Sequence, residues 1–109
     1  MNDRLHVELW TSWASMLRSY AGAHGLNSNK FAVVEVGAEE IVVRVGARWV
    51  RFRFDEMSSS EGTVAGFEMA EDGRVRLGEV WDEMDMAAEG VTREMFSGGE
   101  QRQKQIPAG

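Results

Sequence analysis

The chain has 109 residues, of which 43% are hydrophobic and 28% charged, and its formal net charge is −6. This composition predicts a single soluble globular domain with one core. The acidic balance argues against general nucleic-acid binding, which depends on a surplus of basic residues. Cysteine is absent, which excludes disulfides and thiolate metal sites and fits a reducing compartment. No stretch approaches the roughly 20 apolar residues of a membrane span. The start lacks the pattern of a secretory signal, so we expect a cytoplasmic location.

The first predicted element is a helix from Asn2 or Asp3 to about Ala21, ended by Gly22 and Gly25. One side of this helix carries an apolar stripe made of Leu5, Leu9, Trp13, Met16, Leu17 and Tyr20. The opposite side carries small neutral residues, namely Thr11, Ser12, Ser15 and Ser19. Side chains of this size permit close approach by another subunit, although a merely exposed Ser-rich face has the same pattern.

Three runs, at residues 31–36, 41–45 and 49–54, are rich in β-branched and aromatic residues and alternate at every second position. They predict an antiparallel meander. A two-residue turn at Gly46-Ala47 would place Val43 opposite Val50 and Ile41 opposite Phe52. The inner face then carries Val34, Val36, Ile41, Val43, Val45, Val50, Phe52 and Phe54. The outer face carries Phe31, Val33, Glu35, Val42, Arg44, Trp49, Arg51 and Arg53.

Residues 55–62 predict a polar loop or a single helical turn. Two further strands follow, at residues 63–70 and 74–77, joined by a three-residue loop in which Gly73 is left-handed. This loop places Met69 opposite Val75 and Phe67 opposite Leu77. A second helix is predicted from about Glu79 to Phe96, with an apolar stripe of Val80, Trp81, Met84, Ala87, Ala88, Val91 and Met95.

These elements predict an α+β fold: an N-terminal helix, a five-stranded antiparallel meander sheet and a C-terminal helix, with both helices on one sheet face. Residues 1–97 form the domain in this prediction, and residues 98–109 form a disordered polar tail. The apolar stripes of two helices together are wider than the inner face of one small sheet can cover. Apolar surface left uncovered in this way is typical of an interface.

We expect no catalytic residue, cofactor or metal site. His6 and His24 stand at opposite ends of the first helix, too far apart to share a metal. The acidic residues Asp82, Glu83, Asp85 and Glu89 offer the oxygen ligands that Mg²⁺ and Ca²⁺ prefer. They lack the loop of an EF-hand, however, and are expected to form a solvated helix face.

The candidate partner-binding residues lie on the outer face of the meander: Phe31, Arg44, Trp49, Arg51 and Arg53. Arginine and aromatic side chains on a sheet can bind phosphates and stack bases. The alternative is a ladder of cross-strand pairs, with Arg44 over Trp49, Glu40 beside Arg53, and Glu68 beside Arg76. The acidic total and the absence of lysine from the strands favour a protein or peptide partner over nucleic acid.

The order of helix, three strands, connector, two strands and helix resembles that of type III secretion chaperones. The stretch Gly66-Phe-Glu-Met-Ala-Glu-Asp-Gly-Arg-Val-Arg-Leu77 is similar to their final hairpin, and residues 55–62 would correspond to their middle helix. The resemblance implies a small acidic dimer that wraps an unfolded segment of a secreted partner. From the spare apolar surface, the Ser-lined side of the first helix and the arginine-aromatic outer face, we expect a non-enzymatic, homodimeric protein-interaction module that uses the outer sheet face or the first helix. The alternative is nucleic-acid or anionic-ligand binding through the Arg/Trp face.

Overall fold

A computed structural model describes the backbone of residues 3–26 and 28–108 and the side chains of residues 4–26 and 28–97. Helix α1 spans Asp3–Gly25, and helix α2 spans Met84–Ala108. Seven strands lie between them: β1 Ala32–Val36, β2 Ile41–Val45, β3 Arg48–Phe52, β4 Glu56–Ser59, β5 Val64–Met69, β6 Arg74–Leu77 and β7 Val80–Glu83. They form one antiparallel sheet in chain order. The α+β architecture is confirmed, but the predicted number of five strands is wrong.

The two hairpins whose registers were predicted have those registers. Between β2 and β3, Ile41 lies opposite Phe52 and Val43 opposite Val50. This register leaves a two-residue turn that begins at Gly46, where φ is 62°. Between β5 and β6, Met69 lies opposite Val75 and Phe67 opposite Leu77, and φ at Gly73 is 92°. Both turns use a left-handed position that glycine adopts without steric cost.

Strand β4 replaces the polar loop predicted for residues 55–62. It pairs with β3 and β5, so that Met57 lies opposite both Phe52 and Ala65. Glutamate and serine have low strand propensity, but a segment between two strands satisfies its backbone hydrogen bonds by pairing with both. The middle helix of the secretion chaperones has no counterpart here, because a strand occupies that position.

Strand β7 replaces the predicted first turn of the second helix. Leu77 lies opposite Val80, which leaves Gly78-Glu79 as a two-residue turn with φ of 65° at Gly78. Glycine at the first central position is typical of tight hairpin turns. Helix α2 therefore begins at Met84. Its backbone continues to Ala108, so the predicted end of the second helix near Phe96 is wrong. The side chains of the predicted tail, residues 98–109, lie outside the described ones, and its disorder stays a prediction.

Both helices pack on the inner sheet face. Trp13 of α1 meets Phe52 and Phe67 there, with ring centroids 5.2 and 5.6 Å apart. Two residues predicted for the inner face stay exposed: Val36 at 42% and Phe54 at 46%. The described helical residues include no segment that combines the length and apolar character of a membrane span.

Candidate functional site

The outer sheet face, defined by Phe31, Arg44, Trp49, Arg51 and Arg53, is the side of the sheet opposite the two helices. Arg44, Trp49 and Arg51 stand on β2 and β3, Arg53 directly follows β3, and Phe31 directly precedes β1. Phe31 is 88% exposed, whereas Trp49 and Arg51 are half-buried. The structure therefore presents all five predicted residues on or beside one surface.

The arginines of the outer sheet face are engaged by neighbouring side chains. Arg44 Nε donates to Glu35 Oε1 over 2.7 Å, and Arg53 Nη2 lies 3.5 Å from Glu40 Oε1. The guanidinium carbon of Arg51 lies 5.4 Å from the centroid of the Trp49 ring. The Glu40–Arg53 pair is as predicted, but Arg51 rather than Arg44 stacks on Trp49. A phosphate would have to compete with carboxylates for Arg44 and Arg53.

A second cluster of arginine and tryptophan on this side of the sheet was missed by the sequence reasoning. The guanidinium carbons of Arg74 and Arg76 lie 5.4 and 6.0 Å from the Trp81 ring centroid. Arg76 also donates to Gly78 O and Glu68 Oε1. A Cβ at position 66 would stand 2.9 Å from Arg76 Nη1, so Gly66 allows this guanidinium to lie close to β5. The helical interpretation of residues 79–83 concealed the cluster.

The α2 groove is an open apolar cavity between helix α2 and the inner sheet face. Its volume is about 550 Å³, which lies within the usual range for ligand sites. The apolar side chains that line it include Val50, Met57, Leu77, Val80, Met86 and Val91. Val80 and Met86 are more than 60% exposed. The helices thus leave part of the inner face uncovered.

Gly90 lies in the middle of the wall that α2 contributes to the groove. A Cβ built at this position would meet no described atom within 4 Å. Glycine inside a helix costs about 1 kcal/mol relative to alanine. Packing among the described residues does not require this glycine, and its missing side chain keeps the groove open.

Arg48 lines the α2 groove and contacts both of its walls. Its Nη1 donates to the carbonyl oxygens of Glu94 and Met95 over 3.0 and 2.9 Å, and its Nη2 lies 2.8 Å from Glu61 Oε2. These contacts join β3 to α2 and to the β4–β5 loop. The position of α2 beside the open sheet face is therefore held by directed hydrogen bonds.

The rim of the groove has an acidic balance. Four of its carboxylates are Glu61, Asp82, Glu89 and Glu94, against the guanidiniums of Arg48 and Arg93. Arg93 pairs with Glu89 over 3.1 Å, and Arg48 with Glu61. Within the described side chains, Asp82 and Glu94 have no cationic partner. Basic groups that flank an apolar ligand would meet favourable potential here.

The predicted acidic cluster is divided between two elements. Asp82 and Glu83 belong to β7, while Asp85 and Glu89 belong to α2 and face α1. Asp85 accepts a hydrogen bond from Tyr20, and Glu89 Oε2 lies 3.1 Å from His24 Nε2. Among residues 4–26 and 28–97, no three acidic or histidine side chains form a metal-binding group.

The remaining candidate surfaces belong to α1. His6 is half-buried, and its ring lies edge-on to Phe54 with centroids 4.3 Å apart. The four small neutral residues predicted for the opposite side are all exposed: Thr11, Ser12, Ser15 and Ser19. This surface is exposed, whereas the α2 groove is a concave site.

The α2 groove was not predicted, because residues 80–83 were assigned to the helix, whereas they form β7, from which Val80 and Asp82 line the groove. The dipeptide Gly78-Glu79 between Leu77 and Val80 is the signal that would have revealed a hairpin there. Comparisons of the chain with models of protein families, with curated proteins and with solved structures found no match.

Proposed function

We propose that this protein is a non-enzymatic, homodimeric protein-interaction module of the cytoplasm that holds an apolar segment of a partner in the α2 groove. The observation that carries the proposal is Gly90. A helix-interior glycine with open space at its side-chain position lowers helix stability without serving internal packing. The presence of glycine at position 90 is explained if a side chain of the ligand enters this space.

The lining of the groove indicates the chemistry of the partner segment. The apolar walls favour aliphatic or aromatic side chains, since their burial is worth about 25 cal/mol per Å² removed from water. Met57, Met86 and Met95 give the walls flexible thioether side chains that adapt to different shapes. The acidic rim favours basic residues on either side of the apolar segment. We therefore propose an apolar peptide segment flanked by lysine or arginine.

The outer sheet face is a second candidate surface for the same function. Phe31 and Trp81 supply exposed aromatic area of the kind enriched in protein interfaces. Nucleic-acid or anionic-ligand binding through this face remains the alternative function. It receives less support, because Arg44 and Arg53 already bind carboxylates and the net charge is −6.

Affinity capture from the native lysate, with and without nuclease, tests the proposal when parent and variants are compared by mass spectrometry. Gly90→Leu fills the groove with a side chain that favours the helix. We expect this variant to lose the proteins that the parent captures at stoichiometric yield. Ser12→Leu adds the same side chain to the exposed side of α1 and serves as the matched control.

Three other outcomes would contradict the proposed site. Loss of capture by Ser12→Leu alone would move the site to α1. Loss by Arg51→Glu with Arg53→Glu alone would move it to the outer sheet face. If nuclease treatment abolishes capture by the parent protein, the partner is nucleic acid rather than protein.

A further inference from the structure

Strand β1 is an edge strand of the sheet. Gly37 N donates to Glu40 O over 2.8 Å, and hydrogen-bonded pairs alternate along an antiparallel ladder. Glu35 and Val33 are therefore bonded to β2, while the N–H and C=O groups of Ala32, Val34 and Val36 point away from it. Among the described residues these outward groups have no hydrogen-bond partner. Three consecutive outward positions are a template for another strand.

Strand β7, at the opposite edge, is better protected. It has four residues, two of which are the carboxylates Asp82 and Glu83. The outward N–H of Glu83 is occupied by Asp82 Oδ1 at 2.9 Å. Charges on an edge strand hinder the approach of a further strand. The sequence Ala-Val-Val-Glu-Val of β1 contains one charge, on Glu35, which Arg44 neutralises on the outer face.

We propose that β1 pairs antiparallel with β1 of a second copy of this chain, so that the two sheets become continuous. The proposal rests on the homodimer in the proposed function and identifies its interface. A register centred on Val34 places Val34 opposite itself and Ala32 opposite the second copy's Val36. Every inner-face contact across the twofold axis is then apolar.

The same register avoids repulsion on the outer face. Glu35 lies opposite the second copy's Val33, so the two carboxylates do not face each other, and like charges directly opposite are destabilising.

The pairing also explains an exposure that the single chain leaves unexplained. Val36 stands on the core side of the sheet but is 42% exposed, and the second chain would cover it.

Single cysteines test this register directly, because the chain contains none. In Val34→Cys the two Cα atoms would lie about 5.5 Å apart, as in a hydrogen-bonded antiparallel pair. That separation suits a disulfide. In Val36→Cys, the matched control, they would lie roughly 14 Å apart, since four residues separate position 36 from position 32. We expect diamide to convert Val34→Cys to a covalent dimer while Val36→Cys stays monomeric on a non-reducing gel.

Val36 is more exposed than Val34, so cross-linking by random collision would favour the control. Equal or stronger cross-linking of Val36→Cys therefore overturns the proposed register. This result can be read without any variant that disturbs the strand.

Light scattering gives the second measurement. Val34→Pro removes an outward N–H, at an edge position where proline is tolerated. We expect twice the chain mass for the parent at micromolar concentration and the chain mass for Val34→Pro, with unchanged circular dichroism. If Val34→Pro unfolds, the comparison of Val34→Cys with Val36→Cys tests the β1 interface on its own.

The remaining outcomes separate this proposal from the proposed function. A parent dimer that persists in Val34→Pro, without cross-linking through position 34, overturns the β1 interface and leaves the homodimer standing. A monomeric parent without cross-linking overturns both, and leaves the edge for a strand of another protein. Whether a partner binds in the α2 groove is tested separately, by affinity capture with the Gly90→Leu variant.

Discussion

Tyr20 donates a hydrogen bond to Asp85 Oδ1 over 2.6 Å, and this contact joins α1 to the first turn of α2. The hydrogen bond to Asp85 raises the pKa of Tyr20 above its usual value of 10.0. Desolvation and the negative charges of Asp85 and Glu89 raise this pKa further. A phenol with a raised pKa stabilises the fold fully below pH 10, and the contribution is lost as pH rises through the raised value.

Tyr20 is the only tyrosine of the chain, so its ionisation can be followed by near-ultraviolet absorbance without interference from another phenol. We expect a titration midpoint above pH 10 in the folded parent and a lower midpoint in Asp85→Asn, which removes the carboxylate charge. Glu83→Gln, on β7, should leave the midpoint unchanged. Equal midpoints in the parent and Asp85→Asn would contradict the contact between the helices.

Phe52 is fully buried between Trp13 and Phe67, with ring centroids 5.2 Å from each. Phe52→Ala would leave a cavity between the sheet and α1, and we expect it to lower the free energy of unfolding by about 3–5 kcal/mol in urea titration. Phe31→Ala removes the same side chain at an exposed site and should change stability by about 0.5 kcal/mol or less. Similar losses in both variants would contradict the register of β3.

The sequence predicted the fold best where turn geometry and alternation agree. Between β2 and β3, only a two-residue turn at Gly46 brings Val43 opposite Val50 and keeps the apolar residues on one face. The same reasoning gave the register at Gly73. The burial of Val42 was not predictable in this way. It lies on the outer sheet face, as the alternation predicts, yet is 7% exposed, because burial there depends on how the neighbouring side chains Glu35 and Arg51 lie.

The missed elements have separate causes. Glu56–Ser59 shows no alternation of apolar residues, and its strand conformation comes from pairing on both sides. Val80 and Trp81 match the helical spacing of the residues that follow. The predicted apolar stripe over residues 80–95 therefore started about one turn before the helix does. The α2 groove needs the tertiary arrangement of β7 opposite α2, and neither periodicity nor spacing conveys that arrangement.

Gly90 and Gly73 should respond oppositely to the same substitution. Gly90→Ala should raise the free energy of unfolding by about 0.5–1 kcal/mol, because alanine favours the helix and the added Cβ meets open space. Gly73→Ala should lower it by about 1 kcal/mol or more, because φ at this position is 92°. The midpoints of urea unfolding show whether each substitution raises or lowers the free energy of unfolding. Destabilisation by Gly90→Ala would mean that the groove is filled within the chain.

The outer sheet face provides the final prediction, through Arg51→Glu combined with Arg53→Glu. Both guanidiniums lie outside the core, so we expect the double variant to fold. It loses the stacking of Arg51 on Trp49 and the pairing of Arg53 with Glu40, and places position 53 in repulsion with Glu40. Exposed pairs of this kind contribute about 1 kcal/mol or less, so the thermal midpoint should fall only slightly.

Binding by the folded double variant then separates the three interpretations of this face. A partner held in the α2 groove should bind the variant with parental affinity, because neither arginine lines the groove. Loss of a protein partner with little dependence on salt would make the outer sheet face the interface. Loss of nucleic acid whose parental affinity falls steeply with salt would instead favour the anionic-ligand alternative, since each phosphate contact releases counterions. Affinity measured at two salt concentrations is therefore needed, because a single value cannot distinguish an interface residue from a phosphate contact.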